Sequence, residues 1–185
     1  MRNVLIVLSG PSGVGKGTVA KKLIERNPNL ALSVSCTTRA PRTGEVDGQH
    51  YFFVSKEQFL DEVNKGGFLE HSEHFENFYG TPKPFVARKL LSNDVLLEID
   101  VNGGLNVKKN YPDAILIMLL PPSEEEIYNR LVKRHTESQD KIKLRMDRIE
   151  YELSLADKYD YTVINDDLFT AIKNIEKIIS QEKLK

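Results

Sequence analysis

A single cysteine, Cys36, rules out any disulfide within the chain. That usage suits a reducing compartment, and the opening apolar stretch from Val4 to Leu8 is too short for the core of a secretory leader, so the cytoplasm is the expected location. No stretch approaches the ~20 consecutive apolar residues that span a bilayer, so no membrane association is expected. Neither sign of charge is in excess: 26 Lys and Arg stand against 27 Asp and Glu, a net charge of -1. A chain so balanced has no general field for nucleic acid, and any positive patch must be local. The four histidines, His50, His71, His74 and His135, show no metal-ligand spacing with Cys36, and the pair His71 and His74 is read as non-metal. Internal repeats, low-complexity tracts and dividing linkers are also missing. The 185 residues are therefore one domain, able to bury about 70% of its unfolded surface.

What is present begins with Val4 to Leu8, a continuous apolar run bounded by Ser9 and Gly10. Such a run suits a strand buried on both faces, as in a parallel sheet. After it comes "GPSGVGKGT", Gly10 to Thr18, with the spacing G-x-x-x-x-G-K of a phosphate-binding loop. Val19, Ala20, Leu23 and Ile24 then recur at helical spacing. Strand, glycine loop and helix together form the context in which backbone N–H groups and a helix N-terminus converge on phosphate oxygens. Gly10, Gly13 and Gly15 permit the close approach, and Lys16 adds a mobile positive charge. The next position, where Ser or Thr usually reaches a magnesium ion, is Gly17, and the hydroxyl arrives one residue later at Thr18. On a helix the two side chains diverge by about 100°. Two readings stay open: Thr18 reaches the ion through water, or it only caps the helix start.

Further apolar runs at Val95 to Leu97, in a strand expected to end at Asp100, at Ala114 to Leu120 and at Tyr161 to Ile164 alternate with helical patterns, which argues for an α/β core with a mostly parallel sheet. Ser55-x-x-Gln58 is a capping box that predicts a short helix, and Ser123 with Glu126 predicts another. Ile142, Met146, Ile149 and Leu153 mark a helix, as do Ile172, Ile175 and Ile179 in the tail. Between Ser33 and Pro84 the rhythm breaks. Turn signals and most of the phenylalanines gather there, so this region is read as a strand-rich insert with one short helix.

The insert carries "SVSCTTRAPRTGEVDG", in which Arg39 and Arg42 flank Pro41 and can present paired donors to a phosphate; a solvated turn is the plain alternative. "FLE" with Glu70, "YGT" with Tyr79, Gly80 and Thr81, "EIDVNGG" with Asp100, and "VINDD" with Asn165 follow in order. In these motifs, and over nearly its whole length, the chain resembles the guanylate kinases.

The resemblance implies a P-loop three-layer core with a mainly parallel five-stranded sheet, plus a strand-rich GMP-binding insert and a small helical lid. The corresponding spans are 1–32, 85–123 and 151–185 for the core, 33–84 for the GMP subdomain and 124–150 for the lid. It implies transfer of the ATP γ-phosphate to GMP, and to dGMP, with Mg²⁺ as cofactor. Gly10, Ser12, Gly13, Val14, Gly15, Lys16, Gly17 and Thr18 would hold the ATP phosphates, and Asn165 the adenine. Arg39, Arg42, Tyr51 and Tyr79 would hold the GMP phosphate, with Gly80 beside them. Ser35, Glu70 and Thr81 would read the guanine, Glu70 accepting from N1–H and the 2-amino group, and the two hydroxyls donating to O6. Asp100 would serve the GMP site and, with Thr18, the magnesium waters, with Glu98 in support. Lys16, Arg134 and Arg145 would neutralise the moving phosphoryl group; the plain alternative for the lid arginines is a solvated helix face. The same resemblance admits an inactive phosphopeptide-binding module, or a kinase for another small phosphorylated acceptor. Monomer and homodimer both stay open.

Overall fold

The computed structural model describes residues 2–74, 76–123, 125–127 and 139–185, with backbone alone for His74 and residues 139–145. The expected lid residues Arg134 and His135 lie outside the described residues, as does the side chain of Arg145.

Five parallel strands form the main sheet: β1 (Leu5–Ser9), β2 (Leu30–Leu32), β7 (Asp94–Glu98), β8 (Ile115–Leu120) and β9 (Tyr161–Ile164), in the order β2-β7-β1-β8-β9. Central β1 explains its own sequence. Ile6 and Leu8 face one side, against Val19, Leu23, Ile117, Ile172 and Ile175. Leu5 and Val7 face the other, against Leu97, Val101, Val107, Leu116 and Met118. Alternate residues from Leu5 to Leu8 thus enter two separate cores, so none of these four positions tolerates a polar side chain. Each such burial contributes about 1.5–3 kcal/mol.

Helices α1 (Lys16–Arg26) and α6 (Leu168–Glu182) cover the first face. On the second lie α3 (Lys83–Leu90) and α4 (Val101–Asn110). Helix α5 (Gln139–Ser154) runs into a short 3₁₀ turn, Ala156–Lys158, before β9. The sheet register aligns Leu8 with Glu98 and Ser9 with Met118, so the phosphate loop, Glu98 and the end of β8 share one edge of the sheet. This carboxyl edge is where ligands gather in open α/β sheets. The sequence reading ran the seventh strand through to Asp100. The strand stops at Glu98, because the Asp100 carboxylate turns back to cap α4.

The insert is a separate four-stranded sheet, β4-β3-β6-β5, built from β3 (Cys36–Thr37), β4 (Phe52–Phe53), β5 (Phe68–His74) and β6 (Asn77–Pro82). Helix α2 (Lys56–Asn64) starts with the full capping box: the Gln58 backbone N–H donates to the Ser55 hydroxyl, and the Ser55 N–H to the Gln58 side chain. Its one fully buried residue, Phe59, stacks on Phe68 with centroids 4.6 Å apart and lies 5.5 Å from Phe78. Aromatic packing therefore accounts for the phenylalanine density of this region.

Candidate active site

The phosphate loop joins β1 to α1 through three left-handed or extended glycines, Gly10 (φ 149°), Gly13 (φ 84°) and Gly15 (φ 99°). At Gly10 a Cβ would stand 2.5 Å from the Leu119 carbonyl oxygen, so the backbone touches the neighbouring strand's end. Val14 is fully buried beneath the loop, while Ser12, Gly17 and Thr18 are exposed. The Lys16 ammonium donates to the carbonyls of Gly10 at 2.6 Å and Pro11 at 3.2 Å. Burial pushes its pKa down, and the carboxylates of Glu152, Glu98 and Asp100 around it push the other way. Helix α1 starts from Gly15 with no side-chain cap. Thr18 therefore does not cap it, and that half of the open question is corrected.

Two residues lie against this loop. Asn165, at the end of β9, is buried and donates its amide to the Val14 carbonyl at 2.8 Å. Removing it orphans that carbonyl. Asn165→Leu should destabilise the protein by about 1–3 kcal/mol in urea unfolding, beyond what a surface substitution gives. The second is Glu98. Its carboxylate oxygen lies 3.4 Å from where a Cβ at Gly17 would be. Position 17 lacks a side chain where a carboxylate from β7 approaches the helix start. The Glu98 carboxyl is raised above its ordinary pKa by burial and drawn back by Lys16.

A second cluster sits where the insert meets α4. Glu70 of β5 is only 7% exposed and accepts from the Thr81 hydroxyl of β6 at 2.6 Å. Burial lifts the Glu70 pKa to about 7, the Thr81 hydrogen bond opposes the rise, and the Asp100 charge adds to it. Asp100 caps α4, accepting from the Gly103 N–H at 2.8 Å. A Cβ on Gly103 would meet Glu70 at 3.2 Å and Asp100 at 3.4 Å. The glycine, which costs a helix about 1 kcal/mol, makes room for the two carboxylates. One expected contact changes here. The Thr81 hydroxyl has a single proton, and while Glu70 is ionised that proton is directed at the carboxylate, not at a guanine O6.

The phosphate-facing residues of the insert also meet. The Arg39 guanidinium lies 5.5 Å from the Tyr51 ring centre, and Tyr51 meets Tyr79 edge-on at 6.1 Å. Arg39 is held bidentately by Glu45 at 2.8 and 3.0 Å, and the Arg42 N–H donates to the same carboxylate at 2.7 Å. These bonds hold the Glu45 pKa down to about 2. The Arg42 side chain is exposed, Ser35 is half-buried with its carbonyl accepting from Phe52, and Gly80 is buried in β6. The structure thus brings together Lys16, Glu98 and Asp100; Glu70, Thr81 and Asp100; and Arg39, Tyr51 and Tyr79. The sequence reading missed Glu45, although its place three residues after Arg42 in "PRTGE" is a turn-like signal. It also missed the closeness of Glu98 to Gly17, which depends on strand register. Among the described residues no group of three His, Cys, Asp or Glu is arranged to hold a metal, and no helix is long and apolar enough to cross a membrane.

Comparison with known proteins agrees with this geometry. The family model "Guanylate kinase" matches residues 2–182. A guanylate kinase of Caldanaerobacter subterraneus subsp. tengcongensis is 50% identical over 183 residues, covering 98% of this chain and 89% of the relative. That of Clostridioides difficile is 48% identical, covering 100% and 90%. The crystal structure of guanylate kinase from Anaplasma phagocytophilum superposes with a TM-score of 0.78 at 34% identity, covering 100% of this chain and 88% of that one. A shikimate kinase from Bacteroides thetaiotaomicron, 14% identical with a TM-score of 0.51, shares the fold alone. The chain belongs to the guanylate kinase family.

Proposed function

We propose that the protein transfers the γ-phosphoryl group of ATP to GMP, and to dGMP, giving ADP and GDP. The observation that carries this reading is the buried Glu70–Thr81 pair, set against Asp100 and so beside the phosphate-loop lysine. Guanine offers N1–H and a 2-amino group as adjacent donors, and a carboxylate accepts both. With the Thr81 proton directed at Glu70, the Thr81 oxygen suits the 2-amino group, and Ser35 is left to donate to O6. Adenine presents a lone pair at N1 and no 2-amino group, and would leave a buried charge unpaired.

Arg39, oriented by Glu45, would hold the acceptor phosphate together with Arg42, Tyr51 and Tyr79. The loop from Gly10 to Thr18 would cradle the donor phosphates, with Lys16 moving from loop carbonyls to phosphate oxygens. Asn165 uses its amide nitrogen to hold the loop, and its amide oxygen suits the adenine 6-amino group. Arg134 and Arg145 would add positive charge from the lid.

The donor set fits magnesium. Glu98 and Asp100 flank Lys16, Thr18 is exposed two residues further along the helix, and magnesium retains most of its waters with one or two carboxylates and substrate phosphates. When bound, the ion would neutralise charge on the donor phosphates. The protein's remaining task is alignment and exclusion of water, since phosphoryl transfer asks for little covalent participation.

A pH profile tests the base site. In the nucleotide-free protein Glu70 ionises near pH 7. Only the ionised form accepts both guanine donors, so kcat/KM for GMP should rise as pH increases through about 7, because that ratio reports the free enzyme. The nucleotide phosphate titrates near pH ~6 and contributes its own limb. In Glu70→Gln the upper limb should vanish and the phosphate limb remain. An unchanged profile in that variant would remove Glu70 from the base site.

A further inference from the structure

Three buried residues, Ser9, Gly104 and Tyr159, gather around the backbone that follows Asp100. Ser9, the last residue of β1, is fully buried and donates its hydroxyl to the Asp100 carbonyl at 3.2 Å. Tyr159, which follows the 3₁₀ turn after α5, is 8% exposed and donates its phenol to the Val101 carbonyl at 2.9 Å. Between them stands Gly104, where a Cβ would collide with the Tyr159 hydroxyl and come within 3.0 Å of the Ser9 oxygen. The second glycine of "NGG" therefore makes room for two hydroxyls, as the first makes room for two carboxylates. The same turn of α4 is reached once more from α5, by the Tyr151 hydroxyl on the Asn102 side chain at 3.2 Å. Burial also pushes the Tyr159 phenol well above its ordinary pKa, so it stays a proton donor throughout the working range.

We propose that Tyr159 is a positioning residue for the acceptor half of the reaction: through Val101, with Ser9, it fixes the first turn of α4 and so sets Asp100 between Glu70 and the phosphate loop. This rests on the reading of Asp100 as an acceptor-site residue. The phenol is buried and directs its proton at a backbone carbonyl. It acts on the backbone of the turn whose N-cap is Asp100, and it joins the end of the phosphate-loop strand to the 3₁₀ turn that follows α5. A displacement of about 1 Å at a reacting group is enough to cost up to ~100-fold in rate.

The test is Tyr159→Phe, which removes one oxygen and keeps the ring. The KM for GMP should rise about tenfold, while the KM for ATP stays within about twofold. A merely structural role lowers the folded fraction, and with it the apparent kcat, but leaves both KM values where they were. That outcome would overturn the proposal. Should Y159F fail to fold, Ser9→Ala carries the same test, since it removes the Ser9 hydrogen bond to the Asp100 carbonyl and leaves only that from the Gly104 N–H: a raised GMP KM supports the proposal and an unchanged one overturns it. Asp100→Asn separates the two readings. If D100N has a wild-type GMP KM, the acceptor role of Asp100 fails and the inference fails with it. If D100N is impaired and Y159F is not, the inference alone fails.

Discussion

Glu70→Gln is expected to lower kcat/KM for GMP by about 10³-fold and to erase most of the preference for GMP over AMP. The glutamine amide keeps the size and one acceptor, but it places an N–H donor where guanine also presents a donor. The loss should fall on GMP alone, with the KM for ATP unchanged. The same substitution should have the opposite effect on stability. The folded-state pKa of Glu70 is about 7, above the ordinary 4.5. Between those values the folded protein holds a proton that the unfolded chain has released. The contribution of this group is therefore fully present below pH 4.5 and is lost as pH rises through about 7. At pH 8 the nucleotide-free Glu70→Gln protein should unfold at a higher temperature than the wild type, by up to about 3 kcal/mol of added stability. A base-reading carboxylate that is buried before its ligand arrives weakens the fold in order to select the substrate. Paired kinetics and thermal melts at pH 5 and pH 8 check both halves.

Lys16→Met is expected to lower kcat by about 10²–10³-fold with little change in the KM for GMP. Methionine retains much of the side chain's length and apolar contact but not its charge. In this structure the ammonium bridges the Gly10 and Pro11 carbonyls, so it is already inside the loop and surrounded by Glu98, Asp100 and Glu152. Without it the donor phosphates would face three carboxylates with less compensation. The effect should appear in the chemical step, because charge on the moving phosphoryl group is what Lys16 answers. Single-turnover measurements with saturating ATP separate that step from binding.

Much of the scaffold was legible because it is written locally. The run Val4 to Leu8 is apolar at every position since β1 has a core on each face. The capping box at Ser55 and Gln58, the tail helix and the strand Tyr161–Ile164 are each set by neighbours within a few residues. The loop glycines were readable for the same reason.

What escaped depends on register and on distant chain. Glu98 faces Gly17 only because β7 pairs with β1 so that Leu8 aligns with Glu98. Asn165 reaches Val14 across 151 residues of sequence. Asp100 looked like a strand end, but its carboxylate bonds to the Gly103 N–H, and a residue that caps a helix has left the ladder. The direction of the Thr81 proton follows from its closeness to Glu70, which no motif encodes. The two glycines of "NGG" carried no assigned role in the sequence. They lie in α4, and their lack of side chains admits Glu70 to one and Tyr159 to the other.

The central claim, a two-nucleotide site that moves phosphate from ATP to GMP, is tested most directly by a coupled assay of ADP formation. ATP and magnesium are held constant while GMP, dGMP, AMP, CMP and UMP are offered in turn as acceptors. ADP should form with GMP and dGMP, stoichiometrically with GDP or dGDP, and at background with the other three. No GMP-dependent ADP from folded protein, or equal rates with AMP, would contradict it.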